Sequence, residues 1–253
     1  MISFPYTRTR RIAVRLVELT IGEAIGICKL PGSRHEVTAT HLLRAIAKGA
    51  EQPVAGRYVT DPRLWTVEER TLLIATYLAH VTPDGPDFTV GGDGKLSDYV
   101  DFNADSTQDF TDLGEVAGKP RVMRPLLGIH AETLETLCAT RGDWLMGVMA
   151  CQLFAKDEPT PDYASMSDVA MMEWAQARIE AIRALAESEF DEMFRAHVAG
   201  SETLRHFFAI NYDEFGLVCD SLPKEGGGQL SPARFLAFSC VGGIAKALSG
   251  RAD

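Results

Sequence analysis

A capped amphipathic helix between Thr66 and Val81 constrains this chain more than any other stretch. Thr66 is followed three residues later by Glu69, the spacing of a capping box in which hydroxyl and carboxylate each satisfy the other residue's backbone N–H. Glu68 and Glu69 also sit at the positive end of the helix dipole. Val67, Ile74, Leu78 and Val81 then recur on one helical face, with Leu73 and Tyr77 alongside. A helix of this kind must be covered by other elements. It is a packing element and carries no chemistry of its own.

The flanking chain supplies candidates for that cover. Ile12, Val14 and Leu16 alternate with Arg11, Ala13 and Arg15, a half-buried strand pattern. Thr20 with Glu23 repeats the capping-box spacing and predicts a short helix closed by Pro31-Gly32. A second helix is expected over 36–48, with Gly49 as its C-cap. Phe88-Thr89-Val90 and Leu96–Phe102 flank a Gly-rich turn and predict a small β-hairpin near 88–102. Gly118 to Pro125 reads as a hinge. Beyond it the pattern is helical over 129–138, 142–154, 165–187 and 188–200. The aromatic stretch Leu204 to Cys219 fits strand or helix equally, and Ser231-Pro232 opens a last helix expected to reach Leu248. The fold class expected is therefore mainly α, with one hairpin, in an N-terminal half over 1–120 and a helical half over 121–253.

Composition narrows the function. The 253 residues are 46% hydrophobic and carry a net charge of -10, which argues against nucleic acid as the main partner. One exception is the basic run Arg8, Arg10, Arg11 and Arg15. Such a run either solvates an edge strand or binds phosphate or an acidic partner surface. No apolar run is long enough to span a bilayer, and the first residues lack a signal-peptide layout. Five scattered cysteines without a C-x-x-C pair read as reduced core residues rather than metal ligands or disulfides.

Chemistry-bearing patterns are sparse. Neither Gly-x-Ser-x-Gly nor His-Glu-x-x-His occurs, and the acid pairs fall at helix ends or exposed positions, so no catalytic residue is assigned. A hydrolase whose residues converge only in space stays open. The segment Asp101 to Asp112 is the most suggestive. Asp101, Asn103, Asp105, Asp109 and Asp112 place oxygens at positions one, three, five, nine and twelve, the spacing with which an EF-hand loop wraps calcium. Ser106 replaces the turn glycine, Asp112 the longer glutamate, and clear flanking helices are missing, so the competing reading is a solvated acidic loop.

Several segments, taken together, resemble one family. Arg15 to Ala24, Leu64 to Leu73, and Phe88 to Val100 with its Gly91-Gly92-Asp93-Gly94 turn are similar to tail and baseplate assembly proteins of tailed bacteriophages, a group that includes hub-assembly proteins and tail assembly chaperones. The resemblance covers mainly 11–105, with an echo at Ala139 to Leu145 and in the C-terminal helix. It implies a non-enzymatic viral protein without a cofactor, working through protein–protein contacts on other tail proteins such as the tape-measure protein or the baseplate hub. It would act in the host cytoplasm or in the virion tail, as a transient chaperone or a lasting structural part, with self-association open. A calcium- or ligand-binding module using 101–112 is the alternative.

Overall fold

The computed structural model describes residues 4–9, 12–51, 59–92, 94–106, 108–223 and 229–250. Among these, eight α-helices and ten strands in four small sheets give 47% helix and 19% strand. The fold is mixed α/β, and this corrects the mainly α expectation. The alternation at Ile12 to Leu16 marks β2 and the Gly-rich turn marks the 88–102 hairpin, but strands such as β1, β3 and β8 are three to five residues long, too short for alternation to register.

The chain opens with a three-stranded antiparallel sheet of β1 (Tyr6–Arg8), β2 (Ala13–Leu16) and β3 (Ala47–Glu51). Between β2 and β3 run α1 (Ile21–Cys28) and α2 (His35–Ile46). Both halves of the Thr20–Glu23 capping box form. The helix expected over 36–48 ends at Ile46, and Gly49 takes its positive φ of 63° inside β3 instead of capping the helix. Then comes α3 (Val67–Val81), where Glu69 N–H donates to Thr66 Oγ1 at 3.1 Å and Thr66 N–H donates to Glu69 Oε2 at 3.0 Å. The hairpin near 88–102 shrinks to β4 (Thr89–Val90) and β5 (Gly94–Lys95), after which Leu96–Asp98 forms a 3-10 turn.

The expected hinge at 118–125 is a hairpin. β6 (Thr111–Val116) and β7 (Lys119–Met123) pair antiparallel through a tight turn at Ala117 and Gly118, with φ 49° and 68°. Pro120 itself lies in β7. After α4 (Gly128–Leu137) and α5 (Arg141–Gln152), β8 (Leu153–Ala155) completes the sheet on the other side of β7. Two helices follow, α6 (Asp168–Arg183) and α7 (Glu187–Leu204). The aromatic stretch resolves into a hairpin of β9 (Ala209–Asp213) and β10 (Gly216–Asp220). The expected last helix is broken: residues Ala237–Cys240 make a 3-10 turn, and only α8 (Gly243–Leu248) is helical. Gly242 and Gly243 lie at the break, where glycine's conformational freedom weakens a helix.

Two apolar cores result. The first joins β2, α1, α2 and α3 to Ala233, Ala237, Cys240, Val241 and Ala245 of the C-terminal segment. The second gathers Met123, Leu134, Trp144, Met149, Met171 and Met193 between the β6–β7–β8 sheet and α4 to α7. α3 serves both, since Leu73, Ile74 and Leu78 enter the first and Val67 the second.

A buried charge network joins α2, α3 and α4. Arg70 is 2% exposed, and its Nη2 donates to the Glu36 carbonyl at 2.7 Å. Its guanidinium also approaches the Glu36 carboxylate at 3.3 Å and the Glu132 carboxylate at 3.8 Å. Glu132 in turn meets Arg63 Nε at 2.9 Å and accepts the Thr40 hydroxyl. The Glu135 carboxylate accepts the Glu36 and Val37 N–H groups, at 2.9 and 3.5 Å, at the start of α2. These contacts pair charges that would be costly to bury alone, although Arg70 Nε and Nη1 are buried without a hydrogen-bond partner among the described residues.

Candidate functional site

The first and last helices pack together and leave aliphatic side chains exposed. α8 packs on α1. Its Ala245 faces inward, while Ile244 and Leu248, four residues apart on one side, are 74% and 66% exposed. Ile21 at the start of α1 is 54% exposed. Three branched aliphatic side chains are thus left in water on two helices that pack together, positions open to contact with another apolar surface.

A cavity of about 310 Å³ lies between α5, α7, the N-terminus of α3 and the β9–β10 hairpin. Its volume falls in the range of small-ligand sites. Met123, Leu126, Val148 and Leu217 supply apolar walls, while Glu68, Gln152, His197, Asn211 and Asp220 supply polar groups. His197 Nε2 lies 3.0 Å from Gln152 Oε1, and Gln152 Nε2 donates to the Arg124 carbonyl at 3.1 Å. An amide oxygen only accepts, so His197 carries its proton on Nε2 and keeps Nδ1 as an acceptor. Burial pushes the His197 pKa down to about 4, so the ring is neutral at neutral pH. Asp220 accepts the Asn211 amide at 2.8 Å. The cavity can thus hold a hydrogen-bond donor on an apolar body.

The acidic segment is distributed over several partners. Asp101 accepts the Asn103 N–H at 2.9 Å and pairs with Arg205. The backbone hydrogen bond from Asn103 and the Arg205 contact hold its carboxyl below the usual range. Asp105 lies 3.0 Å from His206 Nε2. Asp112 is in β6, where it meets Lys156 and accepts the Gly114 N–H at 3.0 Å. Asn103 and Asp109 lie between these positions in the connecting loop. Asp101 and Asp105 thus face the segment after α7, while Asp112 meets Lys156, the residue after β8. Among the described residues, no group of three or more His, Cys, Asp or Glu side chains is arranged to hold a metal ion.

Among the described residues no cysteine is in a disulfide, and burial pushes Cys138 and Cys151 up to about 12 and Cys219 and Cys240 upward as well. Thiols so raised are poor nucleophiles at neutral pH. Among the described residues, no helix is long and apolar enough to cross a membrane. No protein-family model matches the chain, and neither does any curated protein or solved structure.

Sequence reading missed both the cavity and the Arg70 network. Gln152 and His197 stand 45 positions apart and meet only through tertiary packing. Arg70 had the one available signal, a cation one position beyond the Thr66–Glu69 box on a helix otherwise rich in inward-facing residues.

Proposed function

We propose that this chain is a non-enzymatic tail or baseplate assembly protein of a tailed bacteriophage, acting through protein–protein contacts in the host cytoplasm or the virion tail. The observation that carries the reading is the exposure of the aliphatic side chains Ile21, Ile244 and Leu248 on α1 and α8, two helices that pack together. The resemblance over 11–105 adds the class of partner, other tail proteins such as the tape-measure protein or the baseplate hub. Met123, Met149, Met171 and Met193 lie inside the second core. Partner contact therefore falls to fixed aliphatic positions rather than to a pliable methionine surface.

The test is affinity capture of the tagged chain from phage-infected cells, with mass spectrometry of the captured proteins and of purified particles. Tail proteins in the capture, lost with Ile244→Glu and Leu248→Glu, support the reading. The chain's presence in particles at fixed stoichiometry marks a structural part, and its absence marks a transient chaperone. Finding no tail protein in either sample rejects the reading.

A further inference from the structure

The N-terminal sheet bears a charge arrangement that works against its own stability. Its antiparallel register sets Tyr6 opposite Arg15, and Arg15 opposite Lys48. Directly opposed residues share one face of a sheet, and like charges placed so destabilise the pair. Arg8, two residues from Tyr6, lies on the same face, with its guanidinium 5.8 Å from the Tyr6 ring centroid. Arg8, Arg15 and Lys48 are all exposed and line, with Tyr6 and Gly49, a concavity of about 540 Å³.

Among the described residues none of the three cations forms an ion pair. Glu23 acts on Lys48 through space, yet its carboxylate is already held by Thr20. The chain holds 35 acidic residues against 25 basic ones, so acids to neutralise this face were plentiful. The backbone contributes as well. Between the pairs Ala13–Glu51 and Arg15–Lys48, Gly49 and Ala50 oppose Val14 alone. This is a bulge, with Gly49 supplying the left-handed residue next to Lys48. Bulges of this kind re-aim neighbouring side chains.

We propose that the face of Arg8, Arg15 and Lys48 docks an Asp/Glu-rich segment of a partner protein. This deepens the assembly reading, because it names the chemistry of one partner surface. Two guanidinium forks on adjacent strands match carboxylates bidentately, and Tyr6, 43% exposed, adds an apolar ring and a hydroxyl between them. A carboxylate partner is favoured over a phosphate polymer by the net charge of -10. That field opposes the long-range approach of a uniformly charged nucleic acid more than that of a locally acidic protein.

The test uses the purified full chain and fluorescence anisotropy with a labelled oligoglutamate peptide, an oligoglutamine control and an oligothymidylate of equal charge. Oligoglutamate should bind at low salt, weaken at high salt, and outcompete the other two. Arg15→Gln and Lys48→Gln should each weaken it about tenfold while melting at or above the wild-type temperature, because each relieves the opposed cations. A structural role for the pair would instead lower the melting temperature. Absent oligoglutamate binding, unchanged affinity in both variants, or tighter binding of oligothymidylate would overturn the proposal. Peptide binding is read without any phage component, so it stands or falls separately from the particle experiment.

Discussion

Gly128 occupies a position where Arg70 leaves no room for a side chain: a Cβ there would stand 1.7 Å from Arg70 Nη1. The first residue of α4 and a buried cation of α3 are thus fitted to each other, and the network that joins α2, α3 and α4 depends on the fit.

Gly128→Ala should therefore destabilise the protein by about 2 kcal/mol or more, since either the helix or the guanidinium must move. Urea denaturation checks this. In the double variant with Arg70→Met the two losses should be far from additive. Additive losses would mean that the two residues do not share a contact.

The two capping boxes provide an internal comparison. Glu23 is partly exposed, and its box is exchanged readily with water. Glu69 is 2% exposed and also accepts the Thr9 hydroxyl at 2.8 Å. Glu23→Ala should cost at most about 1 kcal/mol, whereas Glu69→Ala should cost about 3 kcal/mol by leaving buried donors unsatisfied. Equal losses in thermal melts would contradict the difference in burial.

Glu135 gives stability a pH dependence. Burial raises its pKa to about 7, against the opposing pull of the α2 N–H groups. The folded state then holds a proton that the unfolded chain releases near its ordinary value. The contribution of this group is full below that ordinary value, about 4.5. It is lost as pH rises through about 7. Glu135→Gln should match wild type at pH ~5 and melt higher at pH ~8. A melting difference that stays constant across that range would refute the assignment.

His130 works in the opposite sense. Burial lowers its pKa to about 3, with the Arg178 charge a smaller cause. Its stabilising contribution is present above the ordinary histidine value and is lost as pH falls through about 3. Its Nδ1 accepts the Leu127 N–H at 3.2 Å, and its ring meets Tyr163 and Trp174 with centroids at 4.7 and 5.8 Å. His130→Phe should cost about 1 kcal/mol for the lost acceptor, and His130→Ala about 3 kcal/mol for the cavity as well. Both variants should lose less stability than wild type between neutral and acid pH, measured by denaturant midpoints.

The helices with polar caps were legible because their signals are local. Thr20 with Glu23 and Thr66 with Glu69 lie within one turn of each other, and Ser167 caps α6 at the Ala170 N–H. The α7 start is less legible, placed at Ser188 rather than Glu187: Ala186 offers no capping hydroxyl, and Glu189 alone closes back on the Ala186 N–H. The β6–β7 hairpin was hidden by its turn, where Ala117 takes the positive φ that Asn or Asp would announce, and by Pro120 inside a strand. The Arg70 network and the His197 cavity join residues from distant parts of the chain, and no spacing rule reaches that far.

The closure of the first core by Ala233 to Ala245 sets an order on synthesis. Residues 12 to 100 leave the ribosome early, yet their apolar faces stay open until the last segment emerges. The second core needs nothing beyond Leu217, so it can close while the final stretch is still in the exit tunnel. The part made first is thus closed only after the second core, and a ribosome stalled near residue 230 would display those faces of α1, α2 and α3 that Ala233 to Ala245 cover to any chaperone in reach.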